Sequence, residues 1–450
     1  MDFLKGNINK LYFTLLASSL GSTLMTNIYS TVDFVAVGHY KGSVGSAALS
    51  CVNPLWPCML TLGIIAGIGG AVMMNNRRGS GNTDSANGFF TLSMLLSLIA
   101  ASIVSAGFLL FMKPLLSFFG AEGAILEAAL EYSRPIAVVA PTFTLCATAS
   151  AFVRNDGEAA LPTIATVIGG VVNIFGDIFF VFDFGLGLGL FGAGLATALG
   201  QLVSFVIIIS YFFTKKCKLK FTKIKNVPRK LFYIGSVGAS AGITEISFAV
   251  TTIIFNILIT ENLSDEHLAV YGVASTFQIL LCCFYYSLGT AAQPLISANF
   301  GANNATRVTK TLKTALITAA IMGVVFLAFT ELFPTLILKL YMDTSETTLL
   351  IGPKIIRLYS LGLPFASISI VAAYYLQSVL RQTMSGVISS LRGIILPVSF
   401  ALLLPFIFDY NAIWLAVPIA EIITAAVSVI FVICSNKLTK KAQSARNQHS

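Results

Sequence analysis

The sequence predicts an all-α polytopic membrane protein whose twelve transmembrane helices form two six-helix lobes. Apolar residues make up 56% of the 450 residues and charged residues only 10%, whereas about a quarter of the residues of a soluble domain are charged. Apolar runs long enough to cross a hydrocarbon core recur from one end of the chain to the other. Motifs of the first half also return in the second half at a near-constant spacing.

The apolar runs follow one another so closely that no stretch between them could form a soluble domain. At a rise of 1.5 Å per residue, about 20 residues are needed to cross the membrane. We number the predicted segments 1 to 12 in chain order. They are residues 11–38, 48–75, 88–111, 130–152, 160–182, 190–213, 231–260, 268–298, 312–333, 350–377, 387–408 and 412–434.

An even number of segments puts both termini on one side, and the Lys and Arg residues indicate which side. With the termini inside, all but six of the 28 Lys and Arg residues fall on the inner side. Arg392 is expected among those on the inner side. The densest cluster, 215–230, is predicted to be a basic cytoplasmic linker between an N-terminal lobe, 1–214, and a C-terminal lobe with a short cytoplasmic tail, 231–450. We therefore expect a multi-pass protein of the cell (inner or plasma) membrane. The net charge of +9 follows from this asymmetry, and no nucleic-acid partner is expected.

The internal repeat relates each segment to the one six positions later. Gly79 follows segment 2 in a short polar loop, and Gly301 follows segment 8 in a similar loop. Nearly the same spacing along the chain separates four further pairs, which are Pro114 and Pro334, Arg134 and Arg357, Pro141 and Pro364, and Phe152 and Tyr375. Because six is an even number, the two halves insert in the same orientation, and a pseudo-twofold axis along the membrane normal is predicted.

Asp33 and Asp177 are carboxylates within predicted segments 1 and 5. A carboxylate at membrane depth costs roughly 3 kcal/mol on insertion scales, so each is a candidate functional residue. Both lie near the outer ends of their segments, with Asn173 one helical turn from Asp177 and Thr197 in the outer third of segment 6. Their oxygens suit a hard cation, or the two carboxylates could take up a proton. Alternatively, the acids only pair with amides and tie helices together.

Four short motifs occur in a fixed order along this pattern: YSTVD at 29–33, NIFGD at 173–177, GAGLAT at 192–197 and PLISANFG at 294–301. In this arrangement the chain resembles the multidrug and toxic compound extrusion (MATE) family of the MOP superfamily, from segment 1 to segment 12. The resemblance implies a secondary antiporter that exports amphipathic, mostly cationic small molecules in exchange for H⁺ or Na⁺ by alternating access. Such a protein has no enzymatic activity and no cofactor, contacts membrane lipid, and is expected to be a monomer.

The resemblance also implies roles for individual residues. Four of them fall on the positions of the family's N-lobe cation site, where Na⁺ could bind at the two acids: Asp33, Asn173, Asp177 and Thr197. Glu245 in segment 7 falls on the position of a C-lobe acid and is a candidate for substrate binding or coupling. The branch coupled to Na⁺ through the C-lobe has an acid in segment 10, but no Asp or Glu occurs here between Glu346 and Asp409. A complete C-lobe Na⁺ site is therefore not expected, and Glu421 in segment 12 matches no motif.

Two other classes of function remain open for such a chain. A flippase for a lipid-linked oligosaccharide, or for another lipid of the same superfamily, shares the architecture. Its anionic headgroup would favour buried Arg or Lys, whereas the deep charges predicted here are acids. A membrane-embedded prenyl transferase would need clustered Asp for Mg²⁺ or His at metal-ligand spacing. The chain's histidines, His39, His267 and His449, are scattered, so neither an enzyme nor a certain metal site is expected.

Overall fold

The computed structural model describes residues 1–342 and 344–447, and this part of the chain is helical with short connections. Two 3₁₀ helices, Tyr211–Phe213 and Tyr410–Leu415, and one π-helical turn, Leu391–Ile395, accompany the α-helices. The α-helices are α1 (Ile8–Val52), α2 (Leu55–Gly79), α3 (Thr83–Phe118), α4 (Gly123–Asn155), α5 (Ala160–Val181), α6 (Gly189–Ser210), α7 (Val227–Asn262), α8 (Asp265–Gly301), α9 (Ala305–Leu332), α10 (Pro334–Tyr341), α11 (Glu346–Ser360), α12 (Leu363–Ser378), α13 (Gln382–Ser390), α14 (Leu396–Ile407) and α15 (Ala416–Asn447).

Eleven helical stretches within the described ranges are long and apolar enough to cross a membrane. They correspond to predicted segments 2 to 12. Predicted segment 1 is the part of α1 that precedes Gly42, where the helix kinks at φ 62 and ψ −142. Its many Ser and Thr residues lower its mean hydropathy, yet it continues the same helix. The predicted all-α fold class of twelve helices in two lobes is confirmed.

The helices belong to two compact units. Unit 1 consists of Met1–Phe3 and Ala17–Gly242, and unit 2 of Leu4–Leu16 and Ile243–Ser450. The first turns of α1 thus belong to unit 2, and the first turns of α7 to unit 1. The lobe bounds predicted from the sequence stay a prediction, as does the axis between the halves.

The repeat is visible in the geometry of two corresponding loops. Asn82 caps α3 by accepting a hydrogen bond from the Ser85 backbone N–H at 2.9 Å, and Asn304 caps α9 by accepting one from Arg307 at 3.1 Å. The two caps have nearly the same dihedral angles, φ −93 and ψ 77 for Asn82, and φ −97 and ψ 77 for Asn304. Each cap stabilises its helix by about 1 kcal/mol. The two units therefore begin their third helices in the same way.

Unit 1 holds α5 and α6 at backbone contact through glycines. A Cβ added to Gly192 of α6 would meet the Phe180 carbonyl at 2.5–2.7 Å, and one added to Gly176 of α5 would meet Ala196 at 2.7 Å. Small residues allow this close approach in membrane helices, where packing and not the hydrophobic effect drives association. The contact fixes Asn173 and Asp177 of α5 against the outer half of α6.

Unit 2 has an aromatic core. The Tyr271 ring stacks on Phe255 with centroids 5.4 Å apart, and the Tyr359 ring meets it edge-on at 5.9 Å. Trp414 completes the cluster at 6.3 Å from Tyr271. Each such pair contributes about 0.5–1.5 kcal/mol beyond its buried area. This core ties α7, α8, α11 and the 3₁₀ helix before α15 together.

We expect Gly192→Val to lower the unfolding temperature of the protein in detergent, because overpacking a close contact costs about 1–3 kcal/mol. Gly107→Val in α3 is the matched control, since an added Cβ there meets nothing within 4 Å. Fluorescence-detected thermal unfolding would measure both variants. Equal unfolding temperatures for the two would contradict the assigned backbone contact.

Candidate cation site

Asp33 of α1 is buried in unit 1, with 8% of its surface exposed. One carboxylate oxygen, Oδ2, accepts a hydrogen bond from the Tyr132 phenol at 2.6 Å. The other, Oδ1, has no donor among the residues that the structure describes. A hydrogen bond from a buried phenol to a carboxylate is short and strong, and it orients the acid. Asp33 therefore keeps one oxygen available for another ligand.

Asn173 and Thr197 form a second polar pair beside the first. The Asn173 amide Nδ2 donates to the Thr197 hydroxyl at 3.1 Å, and that hydroxyl lies 3.5 Å from the Tyr132 phenol oxygen. The amide oxygen of Asn173 has no donor within the described ranges. A continuous polar chain thus connects Asp33, Tyr132, Thr197 and Asn173 across α1, α4, α6 and α5.

Asp177 lies at the end of this cluster and is fully buried, with 0% of its surface exposed. Neither carboxylate oxygen has a hydrogen-bond donor in the part of the chain that the structure describes. It is one helical turn from Asn173, and it is close enough to Asp33 and Tyr132 to interact with them electrostatically. Two carboxylates this close in a low-dielectric interior repel each other. A proton or a small cation bound between them would relieve the repulsion.

The structure thus brings together all four residues that the sequence assigned to the N-lobe, and it adds Tyr132. Sequence reasoning missed this tyrosine because it belongs to no motif. One signal was available: segment 4 was predicted to begin at residue 130 on the outer side, which gives Tyr132 the depth of the two acids. The pairing itself depends on the rotation of α4 about its axis, which depth alone does not determine.

The polar chain forms part of the wall of a cavity of about 520 Å³. Five helices of unit 1, α1, α2, α4, α5 and α6, supply its lining. Its aromatic side chains are Tyr29, Phe34, Tyr132, Trp56 and Phe143, and the Trp56 and Phe143 rings are 5.3 Å apart. Ligand pockets for drug-sized molecules have volumes of roughly 300–1,000 Å³.

The charges of this wall are of one sign. Asp33 is among the described lining residues and no Lys or Arg is. Asp177 does not line the cavity, so it lies behind the wall, within electrostatic range of Tyr132. The cavity is therefore suited to an apolar or aromatic compound that carries positive charge.

Glu245 lies in α7 and belongs to unit 2, so it is not part of this cluster. It is within electrostatic range of the Tyr286 phenol on α8. Its assignment to substrate binding or coupling stays a prediction.

Arg392 requires a correction. The Lys and Arg pattern predicts it on the inner side, but it lies within the helical stretch Gln382–Ile407 with a largely buried side chain. Its Nε atom is 2.8 Å from Oε1 of Glu421, and the two side chains are 14% and 4% exposed. The expectation that the deep charges are all acids was therefore wrong. Glu421, which matched no motif, has a partner.

Comparison with known proteins gives a consistent result. A protein-family model described as MatE matches residues 19–179 and 241–403. The second match begins where the spacing of the internal repeat places the counterpart of the first. A probable multidrug resistance protein of Bacillus subtilis is 24% identical over 414 residues, which cover 89% of this chain and 88% of the relative. A protein of Shewanella oneidensis named as an FAD transporter is 24% identical over 404 residues, or 85% and 86% of the two chains.

The fold is also that of a solved structure. The outward-facing conformation of a multidrug resistance MATE family transporter of the MOP superfamily superimposes with a TM-score of 0.90, at 21% identity and with 98% of each chain covered. The family model covers most of each half of the chain, and its two matches account for α1 to α5 and for α7 to α14. The resemblance inferred from the four motifs is confirmed, and the chain belongs to the MATE family of membrane transporters.

Proposed function

We propose that this protein is a secondary active antiporter that exports amphipathic, mostly cationic compounds in exchange for H⁺ or Na⁺ by alternating access. It would act in the cell membrane, with both termini in the cytoplasm. The observation that carries the proposal is the position of Asp33 in the wall of a drug-sized cavity, with the buried Asp177 behind it and no Lys or Arg among the described lining residues. The multidrug resistance function named for the Bacillus subtilis relative supports it.

The properties of the cavity support amphipathic cations as the class of substrate. Aromatic faces attract cations by about 0.5–2 kcal/mol, most strongly where water is excluded. Trp56, Phe143 and Tyr29 offer such faces, and Asp33 supplies the counter-charge. These contacts select positive charge and apolar area without prescribing a shape, which is what export of varied compounds requires.

The polar chain supports coupling of export to H⁺ or Na⁺. Carboxylate, amide and hydroxyl oxygens are the ligands of Na⁺, and a carboxylate pair also accepts a proton. We expect H⁺ to suffice, since the C-lobe lacks the segment 10 acid and the N-lobe pair lacks donors on three of its four oxygens within the described ranges. An ion bound at the available oxygen of Asp33 would reduce the negative charge of the carboxylate and weaken its hydrogen bond with Tyr132, and it would change how α1 is held against α4.

The stretch of α1 around Asp33 is suited to such a change. The hydroxyls of Thr26 and Thr31 donate to the carbonyls of Ser22 and Asn27, four residues earlier, at 3.0 and 2.8 Å. Bonds of this kind weaken the helix slightly and allow it to bend. If α1 has two conformations, an ion that binds one of them more tightly than the other increases the population of that conformation. The balance between the transporter states shifts accordingly.

The alternative function, a lipid-linked oligosaccharide flippase, requires binding of an anionic headgroup. The same is true of an exporter of FAD, the compound named for the Shewanella oneidensis relative. Neither fits a cavity whose described wall carries an acid and no base. Arg392 is a buried cation in unit 2, but Glu421 already neutralises it.

Purified protein in liposomes tests the proposal directly. A pH gradient imposed in Na⁺-free buffer should drive accumulation of a cationic dye, while an anionic fluorophore and FAD should not accumulate. Strict dependence on added Na⁺ would replace H⁺ by Na⁺ as the coupling ion. Transport of the anionic probes without the cationic dye would overturn the proposal.

Asp33→Asn and Asp177→Asn should each reduce dye export to the level of empty liposomes, because either change removes half of the charge that binds the coupling ion. Yield and unfolding temperature should stay near the wild-type values, since Asn is close to Asp in shape. Asp84→Asn, at an exposed acid in the first turn of α3, is the matched control and should export normally. Normal export by both site variants would assign the acids a structural role.

Tyr132→Phe should slow export by about tenfold, since a hydrogen bond to a charged group contributes roughly 1.5–3 kcal/mol. The ring stays, so packing against α6 is preserved. Tyr40→Phe on the same helix as Asp33 serves as the control, and initial rates of dye uptake give the comparison. A Tyr132→Phe protein as fast as the control would exclude the phenol from the coupling site.

A further inference from the structure

A second charged centre lies in unit 2, around Arg392. All three guanidinium nitrogens of this residue contact neighbouring groups. Nε lies 2.8 Å from the Glu421 carboxylate of α15, one terminal nitrogen donates to the Tyr286 phenol oxygen at 3.1 Å, and the other approaches the Cys282 sulfur at 3.6 Å. The guanidinium carbon is 5.9 Å from the centroid of the Tyr286 ring. The cation is thus enclosed by α8 and α15.

The backbone is shaped around this cation. Arg392 is the second residue of the π-helical turn Leu391–Ile395, and single π turns inside helices often mark functional sites. The widened turn is held against α7, where the Thr251 hydroxyl donates to the Gly393 carbonyl at 2.6 Å. On the other side, a Cβ at Gly362 would lie 3.3 Å from the Glu421 side chain.

Stability alone does not explain this pair. Two charges taken out of water lose their hydration, and well-packed apolar residues in their place are often at least as stable. The arrangement is also incomplete as a structural ion pair. Oε2 of Glu421 and the phenol oxygen of Tyr285 have no hydrogen-bond partner within residues 1–342 and 344–447. A carboxylate and a phenol with spare acceptor capacity are ligands for a cation.

A second acid is near. Tyr286 is within electrostatic range of both Arg392 and Glu245. Unit 2 has two acids on its membrane-spanning helices, Glu245 and Glu421, of which Glu421 contacts Arg392, and no acid in segment 10. In unit 1, by contrast, the membrane-embedded Asp33 has a phenol as its hydrogen-bond donor, and no Lys or Arg is among the described residues that line its cavity. The two units compensate their buried negative charge by different means.

We propose that Arg392 is a resident cation of unit 2, and that its guanidinium takes the place beside Glu421 that a free Na⁺ ion would otherwise occupy. Glu421 is then neutralised within unit 2 and takes up no coupling ion. The inference deepens the proposed function, because it leaves ion coupling to Asp33 and Asp177. It rests on the contacts of Arg392 and not on export of any compound.

Removing the resident cation should therefore create a Na⁺ site. In Arg392→Gln, Glu421 loses its positive partner and keeps a carboxylate oxygen, Oε2, without a hydrogen-bond donor within the described ranges, and Na⁺ should bind there. A ligand that binds only the folded state stabilises it by mass action, so Na⁺ should raise the unfolding temperature of this variant by about 2–5 °C. Choline, a quaternary ammonium ion much larger than Na⁺, should not.

The full-length protein in detergent is used, with Asp177→Asn in every sample so that the N-lobe does not contribute a response to Na⁺. For each variant, the unfolding temperature is measured in about 100 mM NaCl and in about 100 mM choline chloride, and the difference between the two is compared. The parent, the Arg392→Lys variant and the double variant with Arg392→Gln and Glu421→Gln should show no difference. Arg392→Gln alone should show the Na⁺-dependent rise.

Three results would overturn the proposal: an Arg392→Gln protein that folds and ignores Na⁺, an equal response in the double variant, or a response in the parent. If Arg392→Gln is recovered only when Na⁺ is present during purification, the proposal is supported. If it is recovered in neither salt while the double variant folds, Na⁺ cannot replace the guanidinium and the proposal fails. The readout is unfolding, so failure of the dye-export assay would not change the outcome of this test.

Discussion

The constraint on which this structure depends is that negative charge inside a hydrocarbon layer must be compensated. An isolated carboxylate at that depth is expensive, and a second one nearby is more so. Unit 1 and unit 2 meet the constraint differently. Around Asp33 the partners are neutral, a phenol, a hydroxyl and an amide, whereas Glu421 has a guanidinium. Neutral partners leave a deficit of positive charge that only a mobile ion can fill, and this difference underlies the proposed antiport.

The contacts that hold the neutral site depend on small residues. Gly176 and Gly192 bring α5 and α6 together at backbone distance, and this contact fixes Asn173 beside Thr197. In lipid such closeness is the main source of helix association, since apolar side chains gain little by leaving a medium as apolar as themselves. The positions of the polar side chains in the site therefore depend on glycines, which carry no functional group themselves.

The sequence was sufficient for the helices, the repeat and the depth of each acid, because apolar length and a near-constant offset between the halves are one-dimensional signals. Asp33, Asp177, Asn173 and Thr197 could be assigned to one layer for the same reason. Tyr132 and the pairing of Arg392 with Glu421 could not be predicted. Both depend on how helices are rotated about their axes, and the π turn that turns Arg392 inward has no clear sequence signature. A residue near the end of an apolar run is easily mistaken for a loop residue, as Arg392 was.

Because Asp177 is buried behind the cavity wall, substitutions in the wall and substitutions at this acid have separate effects. Residues of the wall, such as Trp56 and Phe143, touch the space where a compound would bind, whereas Asp177 does not. Substitutions in the wall can therefore alter which compounds fit without altering the deeper acid. Asp33 belongs to both the wall and the acid pair, so a substitution there would alter the cavity and the acid pair together.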